Sequence, residues 1–249
     1  MIYQRTLVSK KFGEYRVEIV SPPVAEVHLI SHSAYPEDVV HLTTRGYKGI
    51  YNFDPKHRYN EYSIDDAFDD IVKTKLQTPL EMLDIVWLLN NVSRTFTHQL
   101  VRYRIGTAFV QESMRFFGAK QVYRILYKGE EELFERYANT AVIAVTAYVE
   151  LIEKGVPSEV ARGILPADTL TNIFFKCSFR TLQNVIFPQR LCCQVQPGEW
   201  QFILRKMRAI IKEEMGTHLE ELLRAPYERG EPCGYRASFD RPCKWQKES

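Results

Sequence analysis

The sequence predicts an α+β fold with a mainly antiparallel sheet flanked by long helices. Three observations carry that reading. Segments of helical periodicity outnumber segments of strand alternation. The strand-like segments do not alternate regularly with the helical ones, as a doubly wound parallel sheet requires. Neither a G-x-G-x-x-G nor a G-x-x-x-x-G-K-[ST] pattern occurs, so the glycine-rich turns that open dinucleotide-binding and P-loop domains are missing.

The elements follow in order. Tyr15 to Val20 alternates apolar and polar residues and ends at Ser21-Pro22-Pro23, as a strand does. Val27 to Ile30 reads as a second short strand. Pro36-Glu37-Asp38 opens a helix to about Tyr47, since proline suits a first helical turn. Asp54 to Tyr62 is polar and reads as a loop. Ser63 caps a helix over Ile64 to Leu76, with Asp65 and Asp66 where the helix dipole favours anions. Met82 to Leu89 is strand-like, and Ser93 caps a helix through Phe96, Leu100 and Val101. Glu130 to Lys154 is a long helix whose apolar stripe runs from Leu133 and Phe134 through Val142 and Tyr148 to Ile152. Gly155 stops it and Pro157 starts the next. Thr169 to Ser178 is β-branched and aromatic, hence a strand. Arg180 to Ile186 reads as a short helix before Pro188, and Glu199 to Arg224 as a last long helix. The whole reads as one domain over residues 1–225, with an irregular tail over 226–249.

Bulk properties narrow the function classes. A formal charge of +2 on 249 residues argues against a general nucleic-acid coat. No apolar run is long enough to span a membrane, and the first residues lack an apolar signal core, so a cytoplasmic protein is expected. The five cysteines include no C-x-x-C spacing, so free thiols are expected and no metal site.

The chemistry concentrates in RTFTHQLVRYRIGTAFVQESMRF, Arg94 to Phe116. Gln99 and Arg102 stand at i and i+3, one helix face. Glu112 to Phe116 reads as a strand, which points Ser113 and Arg115 to one side. One surface then presents Gln99, Arg102, Ser113 and Arg115. Arginine forks suit phosphate, a serine hydroxyl adds a donor, and a glutamine amide pairs with a base edge. That set suits a nucleotide. A network of structural salt bridges is the other reading the residues allow.

The segment resembles the signature of the flavin-dependent thymidylate synthases (ThyX), RHR followed by seven residues and a serine. Here RYR at Arg102 to Arg104 is followed by eight residues and Ser113, with Tyr103 in place of the central histidine. Other parts resemble the family in order: Thr78-Pro79-Leu80-Glu81, GVPSEVARGILP from Gly155 to Pro166, SFRTLQN from Ser178 to Asn184, and the stretch opening at Arg190. The resemblance covers about Tyr35 to Arg224. It implies a ThyX-like fold and reductive methylation of dUMP at C5 to dTMP, with methylenetetrahydrofolate as carbon donor, NADPH as reductant and FAD as hydride carrier. It implies Arg190 as the catalytic residue. It assigns dUMP to Gln99, Arg102, Gln111, Ser113, Met114, Arg115, Arg162 and Arg190. It assigns FAD to Thr78, Arg102, Tyr103, Arg104, Ile105, Gln111, Ser178, Arg180 and Asn184. It implies a homotetramer with active sites shared between subunits. Two alternatives remain open: an enzyme making another C5-modified pyrimidine nucleotide, such as a hydroxymethyl product, and a non-catalytic nucleotide-binding protein. A cysteine nucleophile, Cys192 or Cys193, is the rival chemistry.

Overall fold

A computed structural model describes residues 2–9, 13–20, 24–50, 62–115, 121–123, 131–191 and 198–230. In chain order, β1 (Ile2–Ser9), β2 (Gly13–Val20) and β3 (Glu26–His32) precede α1 (Pro36–Tyr47) and α2 (Ile64–Thr74). A single turn, α3 (Thr78–Glu81), leads to β4 (Asp84–Ser93), α4 (Arg94–Leu100) and β5 (Thr107–Gln111). Then come β6 (Gln121–Tyr123), the long α5 (Glu131–Glu153), α6 (Ser158–Ala161) and β7 (Leu170–Ser178). Helices α7 (Phe179–Thr181), α8 (Phe187–Arg190), α9 (Glu199–Glu214) and α10 (Thr217–Leu222) follow. The strands form two sheets, ordered β1-β2-β6 and β3-β4-β7-β5. The class is α+β, as expected. The chain divides into two compact units. The first comprises Met1–Glu26, Leu89–Arg102 and Phe109–Phe174, and the second Val27–Leu88, Tyr103–Ala108 and Phe175–Ser249.

In the first unit β1 and β2 pair antiparallel over their full length, Ile2 opposite Val20 and Ser9 opposite Gly13. β6 adds to β2 in parallel. One face of α5 supplies the core, with Phe134, Ala138, Ala141, Val142, Val145, Tyr148 and Ile152 packed with Val17, Ile19, Met114 and Val122. Leu133, expected on that stripe, is 59% exposed because it falls one position off the buried face.

In the second unit the capping box at Ser63 forms as expected: its hydroxyl accepts from Asp66 N at 3.1 Å, and Asp66 Oδ2 accepts from Ser63 N at 2.8 Å. β4, whose end lies in the first unit, and β7, whose end lies in the second, each finish in a serine that caps the next helix: Ser93 accepts from Phe96 N and Ser178 from Thr181 N.

Several expectations shift. β1 was not foreseen, because its own pattern does not alternate cleanly and its partner strand defines it. The strand expected from Met82 begins at Asp84 and runs to Ser93, after the unforeseen turn of α3. The helix expected to stop before Pro188 continues to Arg190. Proline has no N–H to donate four residues back, and a π turn over Leu182–Ile186 precedes it, a wider turn that relieves that constraint. The last long helix breaks at Gly216, whose φ is +122°. A side-chain carbon there would lie 2.1 Å from Glu37 Oε1, the oxygen that accepts from His218 N at 3.0 Å. Most of the expected loop from Asp54 lies outside the described residues, as do Cys192, Cys193, Cys233, Cys243 and the tail beyond Gly230. The remaining cysteine, Cys177, is a buried thiol whose pKa burial pushes up. Among the described residues no helix is long and apolar enough to cross a membrane.

Candidate active site

Two arginine-centred clusters stand out, one in each unit. In the first unit, Arg94 opens α4 directly after the Ser93 cap. A cation at a helix N-terminus runs against the helix dipole. Its Nη1 is buried and has no hydrogen-bond partner among the described residues. Burial and then the positive charge of Arg162 lower its pKa, with Glu112 partly offsetting them. Glu112 is itself held: its Oε2 accepts from Asn172 Nδ2 at 3.0 Å and its N–H donates to Asn172 O at 2.9 Å. A buried donor left unmade costs about 1–3 kcal/mol, more when charged. An anion at Arg94 would remove that cost and the repulsion from Arg162.

The expected strand over Glu112 to Phe116 is corrected. β5 ends at Gln111, and Ser113 to Arg115 lie in a turn, while Phe116 lies outside the described residues. Strand alternation therefore does not pair Ser113 with Arg115; the turn does. The Ser113 hydroxyl accepts from Arg115 N at 3.4 Å and from Arg115 Nε at 3.5 Å. Arg115 also meets Glu159 at 3.5 Å, near Arg162 in the sequence. Met114 anchors the turn in the core at 3% exposure, which leaves only its backbone for a ligand. Gln111 Nε2 donates to Thr97 Oγ1 at 3.1 Å. Gln99 is half-buried, and its carbonyl accepts from Arg102 N at 3.4 Å beyond the helix end. The Arg102 and Arg162 side chains are exposed.

In the second unit, Arg190 Nε donates to the Tyr103 hydroxyl at 2.8 Å, and that hydroxyl donates to Gln189 Oε1 at 3.0 Å. The Arg190 guanidinium lies 4.6 Å from the Trp200 ring centre and 5.7 Å from that of Tyr103. The two rings meet edge to face at 6.2 Å. Beside them, Gly106 turns the chain at φ +66°, and its carbonyl accepts from Ser178 N at 3.3 Å. Thr181 Oγ1 lies 3.1 Å from Ser178 Oγ and donates to Ile105 O at 3.1 Å. Arg180 pairs with Glu81 at 2.7 Å, which ties α7 to α3, the turn that Thr78 opens. Thr78, Arg104 and Asn184 are exposed, and Ile105 is 87% exposed.

This second cluster fits a group with a flat apolar part and a polar tail, such as the flavin the resemblance implies. An isoleucine side chain open to solvent, next to Arg104 in the chain and with its carbonyl held by Thr181, suits it. A side-chain carbon at Gly106 would lie 3.4 Å from Thr181 Oγ1 and 3.5 Å from Ser178 Oγ, so the turn is already closely fitted. The Ser178 hydroxyl is spent within that turn as a cap, which leaves its role as one of shape.

Arg94, Gln189 and Trp200 were missed by sequence reading. For Arg94 a signal existed: a cation at the first position of a capped helix is electrostatically misplaced unless an anion meets it. Gln189 and Trp200 stand far from Tyr103 in the chain, and no local pattern marks them.

Residues 28–216 match the Thy1 family, described as thymidylate synthase complementing protein. The flavin-dependent thymidylate synthase of Pyrococcus furiosus is 27% identical over 200 residues, 77% of this chain and 79% of its own. That of Saccharolobus solfataricus is 30% identical over 203 residues, 75% of this chain and 72% of its own. The fold is similar to that of PolB, a UMP/dUMP methylase from Streptomyces cacaoi, in its crystal structure bound with 5-Br UMP. The TM-score is 0.66 at 18% identity, over 83% of this chain and 96% of that one. The chain belongs to the thymidylate synthase complementing protein family, the enzymes known as flavin-dependent thymidylate synthases.

Proposed function

We propose that this enzyme methylates dUMP at C5 to give dTMP, taking the carbon from methylenetetrahydrofolate and the reducing equivalents from NADPH. The observation that carries the reading is the buried Nη1 of Arg94, without a partner among the described residues and repelled by Arg162. An arrangement of that kind suits a dianionic phosphate, and the family supplies the nucleotide to which the phosphate belongs.

In this reading Arg94, Arg115, Arg162 and Ser113 hold the phosphate by charge-assisted hydrogen bonds. Gln99, Gln111, Arg102 and the Met114 backbone orient the nucleoside. Arg190 faces the uracil and stabilises negative charge as N3 loses its proton, which makes C5 nucleophilic. Bound FAD supplies the hydride that completes the methyl group. Thr78, Arg102, Arg104, Ile105, Gln111, Arg180 and Asn184, together with the ring rather than the hydroxyl of Tyr103, would hold that cofactor, with Ser178 shaping the turn. The family's homotetramer, with sites shared between subunits, is the expected assembly.

The test begins with flavin. The protein is incubated with FAD, desalted, and its visible spectrum recorded with and without dUMP. A retained band that changes with dUMP is the expected result. The full reaction mixture is then analysed by product mass. A methyl group at C5 supports the proposal. A hydroxymethyl group assigns the enzyme to another C5 modification, and no turnover with nucleotide still bound leaves a binding protein.

A further inference from the structure

We propose that Tyr103 is a positioning residue that aims the Arg190 guanidinium, by a one-directional relay from Arg190 through Tyr103 to Gln189. The inference rests on the catalytic role given to Arg190 above and adds what sets its direction.

The donors and acceptors allow one order. A guanidinium only donates, and Gln189 presents its oxygen. A group between them must accept from one side and donate to the other, and a phenol hydroxyl does both. Arg190 Nε–H therefore donates to Tyr103 at 2.8 Å, and Tyr103 O–H donates to Gln189 Oε1 at 3.0 Å. With Nε fixed, the plane of the guanidinium is fixed. Trp200 covers it at 4.6 Å, and the edge-to-face contact of Trp200 with Tyr103 at 6.2 Å holds the two rings to each other. Among the described residues nothing engages Nη1 or Nη2. The fork that remains is held in place as a pair of donors without a hydrogen bond among the described residues, suited to a planar acceptor that gains negative charge, such as a pyrimidine ring losing N3–H. The same ring sits in the stretch expected to hold flavin. Its hydroxyl, however, is committed to Arg190 and Gln189, so its polar function belongs to the arginine.

The test is Tyr103→Phe, which keeps the ring and its contact with Trp200 and removes only the oxygen. The expected result is a fall in kcat of about ten- to a hundredfold, the range set by small misplacements of a catalytic group. The KM for dUMP and flavin retention should be unchanged. In an Arg190→Met background, which has no donor for the Tyr103 hydroxyl, adding Tyr103→Phe should produce no further loss. Unchanged kcat in Tyr103→Phe, loss of flavin, or losses that multiply in the double variant would each overturn the proposal. A readout independent of turnover is the exchange rate of the Arg190 Nε–H in protein carrying 15N-arginine, assigned by its disappearance in Arg190→Lys. Protection in the wild type that is lost in Tyr103→Phe supports the relay, and exchange as fast as in free arginine overturns it. Should the wild type form no dTMP, the reading of the reaction fails, while this measurement still decides the relay.

Discussion

The Arg94 and Arg190 clusters use the same side chain in opposite ways. Arg94 is half-buried, is repelled by another arginine and keeps a buried Nη1 with no partner among the described residues. Arg190 is half-buried, stacked on an aromatic ring and anchored through Nε. The first is under-satisfied in the protein by itself, so it gains most when an anion arrives. The second is already satisfied on one side, so it gains geometry rather than binding energy. A guanidinium that binds and one that aims thus differ in what the folded chain leaves undone. A donor left buried and bare strengthens ground-state binding. A donor fixed in place favours whatever charge develops later, where interactions accelerate reactions.

The largest expected effect breaks the aiming side. Arg190→Ala should lower turnover by about 10²–10³, the usual loss when one electrostatic stabiliser is removed. Flavin retention should persist, measured by the visible band after desalting. Turnover equal to the wild type would remove Arg190 from catalysis.

Next comes the binding side. Arg94→Met should weaken dUMP binding by about 1.5–3 kcal/mol, the worth of hydrogen bonds to a charged group. Titration calorimetry reads this directly. The same variant should unfold at an equal or higher temperature without nucleotide, since replacing a partly buried, incompletely paired charge by an apolar chain is often neutral or stabilising. Lower stability with unchanged dUMP affinity would make Arg94 a structural residue and undo the contrast.

The sequence made these two regions legible to different degrees. In the first unit the glutamine, the serine and the arginines of the signature were readable, because the motif is local. Their geometry was not. Glu112 to Phe116 has strand composition, but Met114 is drawn into the core and turns the chain instead. Apolar pattern marks which residue is buried; it does not fix whether a strand or a turn delivers it. In the second unit Tyr103 was visible as a departure from the family pattern, but its consequence was not. Its partners Gln189 and Trp200 reach it only through the tertiary fold. The π turn ahead of Pro188 also helps set where Gln189 and Arg190 fall, and proline read as a stop concealed it. Helix caps at Ser63 and Ser93 were the most secure readings, since a cap is decided within a few residues.

A finer probe of the binding side is Ser113→Ala. Its hydroxyl is a neutral donor beside Arg115 at 3.5 Å, so dUMP affinity should fall by about 0.5–1.5 kcal/mol, less than for Arg94→Met. A covalent adduct trapped on Ser113 would show it to be a nucleophile and would reverse its assignment as a ligand.

The smallest effect comes from a cation whose partners both belong to the fold, and it sharpens the contrast by lying outside it. His218 Nε2 meets Asp65 at 2.6 Å and Nδ1 meets Glu37 at 3.1 Å. Burial alone would lower its pKa, but hydrogen bonds and charge from Asp65 and Glu37 outweigh that and raise it above 6.5. A raised histidine pKa in the folded state contributes stability that is fully present below the unfolded value and is lost as pH rises through the folded one. Thermal midpoints should therefore decline as pH is raised through and beyond the ordinary histidine range, and His218→Gln should flatten that decline. The size should match a partly exposed ion pair, about 0.2–1 kcal/mol, and should shrink with salt. Affinity for dUMP should not follow the same pH curve, because here the folded chain itself supplies two hydrogen-bonded counter-charges, whereas Arg94 has only a partial offset from Glu112. A variant that flattened both curves together would tie His218 to the nucleotide and would make internal satisfaction a poor guide to which cations in this protein bind.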